Sequence, residues 1–469
     1  MKQKGYADIV LGLQFGDEGK ARVIDNLAQN YDIIARFNGG ANAGHTIETD
    51  KGSFAARQIP SGIFYPKTTL YIGSGCAVNI EKLADEIEQL EKLGLDISTR
   101  LKISSLASII QPHHILLDGL LGKTIGTTKN GIGPSYADRA MRMYGERIVN
   151  IRLADLVDQP KEFFDAILEN FTEMQKQYKI KNTDAEKTVK ALQKAFTKIK
   201  PFIELNPLYM EKRVEQGARV LFEGAQSVML DVSKGSVPYV TSSNTIAAAA
   251  YTGGDLSPKY HRKTIGVVKA IMSRVGYGPF PPEFGGRKSE LYTLEKVNGE
   301  SKYTRTSEAK HDVEKLIKSD DPFDIGMALR ILSGEYGTAT KRPRRVGIFD
   351  LIQLNYAIKM NGVDELIVTK CDLLKEYSRT KEGKMPLVTG YELDGKKIAY
   401  VPGATGAFYR VKPIITYTES FSEDIAQVRT FAKLPKAVQK FVQTIEKASN
   451  CKIIGLGVGP KRDQYISLI

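Results

Sequence analysis

Apolar residues follow two alternating rhythms along this chain. Short, mainly apolar runs at residues 7–13, 32–37, 69–72, 220–222, 264–268, 365–369 and 452–456 read as strands buried on both faces, where no side meets water. Between them, residues 83–95, 160–175, 185–199 and 434–448 repeat apolar side chains three and four apart, the spacing of a helix with one buried face. Strands alternating with helices predict an α/β fold with a large, mainly parallel central sheet covered by helices on both faces. Glycine interrupts the first run near its end, as where a buried strand feeds a phosphate loop, so the sheet is expected to be P-loop-NTPase-like with a modified loop. No internal repeat, low-complexity tract or Pro/Gly/Ser linker divides the chain, and residues 1–469 are expected to form a single domain. The polar stretch 287–324 reads as an insertion on it.

Composition narrows the function. Hydrophobic residues make up 42% of the 469 residues and charged residues 26%, which is globular rather than disordered. No apolar run approaches the ~18 residues of a membrane helix, and the lysine-bearing start is followed by too short an apolar stretch for a signal peptide. Three scattered cysteines (Cys76, Cys371, Cys451) exclude a disulfide framework and a cysteine zinc site and suit a reducing, cytoplasmic setting. The 67 Lys and Arg against 54 Asp and Glu leave a charge of +13, which fits a nucleic-acid face, a site for small polyanions or simply a solvated lysine surface.

Four segments carry chemistry. Gly12-Leu-Gln-Phe-Gly16-Asp17-Glu18-Gly19-Lys20-Ala21 has the glycines and lysine of a phosphate cradle, but six residues separate Gly12 from Gly19 and Ala21 offers no hydroxyl for a metal. Another oxygen must then hold any Mg²⁺, and Asp17 is the carboxylate inside the loop. Asn38-Gly-Gly-Ala-Asn42-Ala-Gly44-His45-Thr46 places a histidine in a glycine-rich loop suited to acid/base work, or to a purely structural role. Val368-Thr-Lys370-Cys-Asp372 resembles a guanine-reading signature, since an aspartate accepts from the N1 and N2 donors that adenine lacks. Lys341-Arg342-Pro-Arg344-Arg345 reads as a carboxylate clamp, a nucleic-acid patch or a solvated loop.

Taken in order, these segments resemble the adenylosuccinate synthetase family along almost the whole chain. Further matching motifs are Ile125-Gly-Thr-Thr128, Phe222-Glu-Gly-Ala-Gln226, Tyr239-Val-Thr-Ser-Ser-Asn-Thr245, Arg274-Val-Gly-Tyr-Gly-Pro-Phe-Pro281 and Gly459-Pro460. The resemblance implies a GTP- and Mg²⁺-dependent ligase of purine biosynthesis that joins IMP and L-aspartate through a 6-phosphoryl-IMP intermediate. It implies catalytic roles for Asp17, His45 and Gln226, and metal binding by Asp17 and the Gly44 carbonyl. GTP would contact Gly16, Glu18, Gly19, Lys20, Gly44, Thr46, Lys370, Asp372, Gly457 and Gly459. IMP would contact Asp17, Lys20, Asn42, His45, Thr128, Gln226 and Thr241, with Arg142 reaching in from a partner subunit of a homodimer. Thr340, Arg342 and Arg344 would hold the aspartate carboxylates. No nucleic acid or membrane partner is implied.

This sequence departs from the family pattern at several points. Ala21 and Ser227 stand where glycines are usual, and Ala21 requires a negative φ there. Lys129-Asn130 replace Gly-Arg, Gly457 replaces a serine, and Ala339 and Lys341 alter the aspartate loop. These changes raise the alternative of a paralogue acting on another 6-oxopurine nucleotide such as dGMP. A regulatory GTP-binding or nucleic-acid-binding protein is the remaining reading. Viral relatives that use dGMP replace the loop aspartate, so Asp17 argues for IMP.

Overall fold

Seven of the ten strands in the central sheet are the apolar runs themselves. In the computed structural model, which describes residues 4–41, 45–49, 52–121, 127–297, 299–337 and 342–468 (at 45–49 and 52–55 the backbone only), these strands are β1 (Tyr6–Gly12), β2 (Ile33–Arg36), β3 (Thr69–Ile72), β4 (Leu101–Ser104), β5 (Ile203–Glu204), β6 (Arg219–Glu223), β7 (His261–Lys269), β8 (Glu365–Thr369), β9 (Lys452–Gly457) and β10 (Tyr465–Ser467). Their order across the sheet is β5-β4-β3-β2-β6-β1-β7-β8-β9-β10. Pairing is parallel from β5 through β1 and again from β7 to β9, and the β9–β10 pair is antiparallel. The predicted α/β architecture with a mainly parallel sheet is therefore the one observed. The apolar pattern did not announce β4, β5 and β10: β5 and β10 have only two and three residues, and Lys102 and Ser104 break the apolar run of β4.

Helix ends follow local capping chemistry rather than the apolar stripe. The principal helices are α1 (Lys20–Ala28), α2 (Ile80–Lys92), α3 (Pro160–Tyr178), α4 (Ala185–Ile199), α5 (Pro322–Ser333) and α6 (Lys436–Ser449). Helix α2 begins three residues before the predicted start because Asn79 caps it, its side chain accepting from the Lys82 amide at 2.9 Å. Asp184 caps α4 in the same way through the Lys187 amide. Pro160 sits at the first position of α3, where the missing amide proton is harmless. Among the described residues, no helix is long and apolar enough to cross a membrane.

The chain groups into two compact units, Met1–Val10 with Ala21–Ala225 and Thr241–Arg262, and Leu11–Lys20 with Gln226–Val240 and Lys263–Ile469. Within the first, one face of α2 buries Ile80, Leu83, Ile87 and Leu90 in an apolar cluster with Ile72, Leu101, Ile103, Phe164 and Phe196. Within the second, the polar stretch 287–324 is ordered into the helices Arg305–Glu308 and Val313–Ile317 and the paired strands Lys296–Val297 and Glu300–Ser301. Its Glu308 is buried, where it receives Arg330 of α5 at 2.7 and 2.8 Å and the Tyr336 hydroxyl at 2.6 Å.

Candidate active site

The segment that leaves β1 is shaped around one buried carboxylate. Glu18 Oε1 accepts the amides of Gln14 and Gly16 at 3.2 and 2.9 Å, and Oε2 accepts Lys20 Nζ at 2.6 Å. Ser227 Oγ donates to Oε1 at 2.7 Å. Gly12 is required because a Cβ there would lie 2.2 Å from Glu18 Oε2. Gly16 and Gly19 take φ of 91° and 83°, and Asp17 between them takes 58°. That is a left-handed turn stored in a functional loop. Ala21 falls in the first turn of α1 and is not among the residues of positive φ, so alanine is tolerated where the family has glycine.

Buried ionisation extends outward from this loop. Gln14 pairs with the backbone of Lys269 at the end of β7, its amide donating at 3.1 Å and accepting at 2.9 Å. Thr369 at the end of β8 donates to the Glu18 carbonyl at 2.7 Å. The Lys269 ammonium is fully buried, bonds Ser273, and stands 3.7 Å from Glu335; burial pushes its pKa down to about 8. Arg344 Nη2 reaches Asp17 Oδ2 at 2.8 Å while Nη1 reaches Glu335 Oε2 at 2.8 Å. The Asp17 side chain is 44% exposed yet ringed by protein. Burial works against its ionisation, but Arg344, Lys269 and Lys20 outweigh it and hold the carboxyl below the usual aspartate value.

The remaining expected residues divide by location. Lys370, in a left-handed conformation (φ 59°), follows β8 and bonds Glu335; Asp372 lies half-buried in the first turn of the 3-10 helix Cys371–Arg379. Gln226 also has positive φ (56°), and its Oε1 is buried without a hydrogen-bond partner. Gly457, the last residue of β9, and Gly459 just beyond it are buried. Arg342 is half-buried and its carbonyl accepts the Gly337 amide at 2.8 Å. All of these belong to the second unit, and Lys370 and Gly457 stand at the carboxyl ends of β8 and β9, where ligands bind in open α/β sheets. Thr128 (exposed), Thr241 (half-buried) and Arg142 (exposed) belong to the first. His45 and Thr46 open the strand His45–Thr49, paired antiparallel with Gly52–Ala56. Asn42, Gly44, Ala339, Thr340 and Lys341 lie outside the described residues.

The cationic run resolves in part. Arg344 and Arg345 both point inward, the latter onto Glu283 at 2.9 Å and Glu290 at 3.3 Å, so neither belongs to a surface patch. Sequence reasoning missed Lys269, Ser273 and Glu335. Lys269 alone left a trace, as a charge at the carboxyl end of a buried apolar run.

Among the described residues, one other cluster has the composition of a metal site: His113 and His114 of the helix Pro112–Leu121 face Asp138 Oδ2 at 3.4 and 2.8 Å. His114 Nδ1 accepts the Gln111 amide at 3.0 Å, which assigns the proton to Nε2 and its donation to Asp138. That ring nitrogen is thereby committed to a brace between helices. Burial, reinforced by His113, pushes the His114 pKa down to about 4, so the ring is neutral.

Comparison with known proteins places the chain in a family. The family model for adenylosuccinate synthetase matches residues 9–466. The chain is 43% identical over 460 residues to adenylosuccinate synthetase 2 of Cupriavidus pinatubonensis, covering 98% of this chain and 97% of that protein. Fully ligated adenylosuccinate synthetase from Plasmodium falciparum has a TM-score of 0.83 and 31% identity, over 99% of this chain and 100% of that one. A cyanophage S-2L succinoaminodeoxyadenylate synthetase, bound to dGMP and dATP, shares the fold at a TM-score of 0.58 and 16% identity, over 99% of this chain and 96% of that one. The chain belongs to the adenylosuccinate synthetase family.

Proposed function

We propose a division of labour among these residues for the family's reaction. The chain is a GTP-dependent ligase that joins IMP and L-aspartate to give adenylosuccinate, GDP and phosphate. Asp17 takes the N1 proton of IMP, O6 then attacks the γ-phosphate of GTP, and the aspartate amine displaces the phosphate from C6. His45 donates to the phosphate side as charge develops. Phosphoryl transfer depends mostly on positioning and charge neutralisation, and Lys20, Lys269 and Arg344 already concentrate positive charge around Asp17.

The carrying observation is the Asp17–Arg344 pair: an ionised, partly exposed carboxylate on a strained phosphate loop, held by an arginine of the clamp segment. Mere GTP binding has no use for it. Gln226 brings a buried acceptor without a partner, an arrangement that a bound nucleotide donor would satisfy. The remaining contacts follow the family pattern: Gly16, Glu18, Gly19, Lys20, Gly44, Thr46, Lys370, Asp372, Gly457 and Gly459 for GTP, Asn42, Thr128 and Thr241 for IMP, and Thr340, Arg342 and Arg344 for aspartate.

The donor chemistry suits Mg²⁺. Asp17 is a hard oxygen ligand kept ionised by its neighbours, and Asp17 with the Gly44 carbonyl would hold the ion. Bound there, it would neutralise charge on the phosphates. We also propose a homodimer. Arg142 is exposed, fixed at φ 66° by its amide on the Asp138 carbonyl (2.7 Å), and flanked by Met141, Met143 and Tyr144, which are 53%, 49% and 64% exposed. That apolar surface suits cover by a partner, which would carry Arg142 to the IMP 5′-phosphate. Three buried free cysteines fit a cytoplasmic location.

The deciding experiment is phosphate release with GTP, Mg²⁺ and L-aspartate, offering IMP, dIMP, GMP and dGMP separately. Release with IMP is expected. Release with dGMP and none with IMP would overturn the acceptor. In the same assay Asp372→Asn is expected to narrow the preference for GTP over XTP, and an unchanged preference would remove Asp372 from guanine reading.

A further inference from the structure

Glu335 stands where two substrate subsites meet. It follows Gly334, the left-handed cap of α5, and its own amide donates to the Arg330 carbonyl at 3.0 Å. Its carbonyl accepts the Arg344 amide at 2.9 Å, and the next rungs join Tyr336 to Pro343 and the Gly337 amide to the Arg342 carbonyl. The backbone of Glu335 thus closes the base of the segment that carries the aspartate clamp.

The residue is 1% exposed, and its carboxylate is shared among three donors and a nearby cation. Oε2 accepts Ser273 Oγ and Arg344 Nη1, each at 2.8 Å. Oε1 accepts Lys370 Nζ and faces Lys269 Nζ at 3.7 Å. Ser273 in turn accepts from Lys269, so the serine ties the third cation to the same carboxylate. Burial opposes the charge, but Lys269, Lys370 and Arg344 together hold the carboxyl well below the ordinary glutamate range. Taking a carboxylate out of water is expensive, a whole buried ion cluster roughly breaks even against apolar packing, and removing one member alone strands the others unpaired. The cluster is thus kept for more than packing. It joins two cations assigned above to different substrates: Lys370, given to GTP, and Arg344, given to aspartate and bonded to Asp17.

We infer that Glu335 is a positioning residue that couples guanine recognition to the aspartate clamp, holding Lys370 and Arg344 on one shared carboxylate. The inference rests on the subsite assignments proposed above. When GTP fixes Lys370 in its reading position, Glu335 stays anchored and presents Arg344 to aspartate. When aspartate engages Arg344, the same anchor steadies Lys370. Such coupling is reciprocal, so each substrate improves the affinity for the other by one common factor, typically about 5- to 150-fold.

The test is Glu335→Gln, which keeps the shape and the Ser273 bond but removes the charge. KM for GTP and KM for aspartate are both expected to rise about tenfold or more, KM for IMP to stay within about twofold, and kcat to fall less than about tenfold. Combining it with Lys370→Met is expected to raise KM for GTP little beyond the larger single effect, because both act on one contact. Glu335→Asp is expected to restore part of both KM values. Ser273→Ala, which removes one donor and leaves the carboxylate in place, is expected to move the same two constants by a smaller factor, and it stands in if Glu335→Gln does not fold. Unchanged constants, a parallel rise of all three, or additive effects with Lys370→Met would overturn the inference. Calorimetric titration of GTP alone separates the two levels. Weaker GTP binding by Glu335→Gln supports the role of Glu335 even if wild-type protein releases no phosphate with IMP, whereas that lack of turnover would sink the substrate assignment.

Discussion

Two interiors in this molecule are built on opposite terms. Around α2, Ile72, Ile80, Leu83, Ile87, Leu101 and Phe196 pack as an apolar cluster. Around the segment 11–20, the buried groups are Glu18, Lys20, Lys269, Glu335 and Arg344. Apolar burial stabilises by about 25 cal/mol per Å², whereas a buried ion pair roughly breaks even against its desolvation. The first region therefore supplies stability and tolerates no function, and the second is held in an ionised arrangement that stability alone would not select. Charges fixed before substrate arrives need no reorganisation during phosphoryl transfer, which is where such an interior gains its advantage.

The widest break between the two regions should come from Asp17→Asn. Turnover with IMP is expected to fall about 10³-fold or more, since the base is lost, while GTP still binds. Near-normal turnover would remove Asp17 from the base role. Leu83→Ala is the converse. Leu83 is fully buried on α2, and its truncation should destabilise folding by about 2–5 kcal/mol, read from denaturant midpoints, with kcat at low temperature unchanged. A fall in kcat without a shift in the midpoint would show that the apolar cluster is not independent of the chemistry.

The sequence disclosed these regions unequally, for a physical reason. The buried stretches of parallel strands such as β1, β7 and β8 appear as mainly apolar runs, and α2 and α4 show their single buried face directly. The loop around Asp17, Glu18 and Lys20 was legible because its parts are neighbours in the chain. The hub was not. Ser273 and Glu335 are 62 residues apart, Gln14 and Lys269 are 255 apart, and Thr369 and Glu18 are 351 apart, so only folding brings them together. Ser227 was visible as a departure from a glycine, but nothing local announced that its hydroxyl would bind Glu18. Residues 287–324 looked like a polar elaboration, yet Glu308 pairs with Arg330 in the interior.

A sharper test of the charged interior is Arg344→Gln assayed against pH at saturating aspartate. Asp17 must be ionised to accept a proton, and Arg344 is the strongest of the groups lowering its pKa. Removing that charge raises the pKa, so the acid limb of kcat/KM for IMP should move to higher pH. A limb that stays in place would mean that another group sets it.

The smallest effect probes the exception within the apolar region. Glu86 lies on the buried face of α2, where Oε2 accepts the Gln58 amide at 3.0 Å and Oε1 the Arg57 amide. Burial nonetheless dominates and pushes its pKa from 4.5 up to about 7. The sign follows from proton counting. Below pH 4.5 both folded and unfolded chains hold the proton. Between 4.5 and 7 the unfolded chain releases it first, so this group's contribution to stability is lost as pH rises through that window. Glu86→Gln cannot titrate and should lose less stability between pH 5 and pH 8 than the wild type, by on the order of 1 kcal/mol. If the two proteins differ by the same amount at both pH values, Glu86 is ionised throughout. The α2 face would then bury a charge as the phosphate-loop region does, and the contrast between the two interiors would be one of degree.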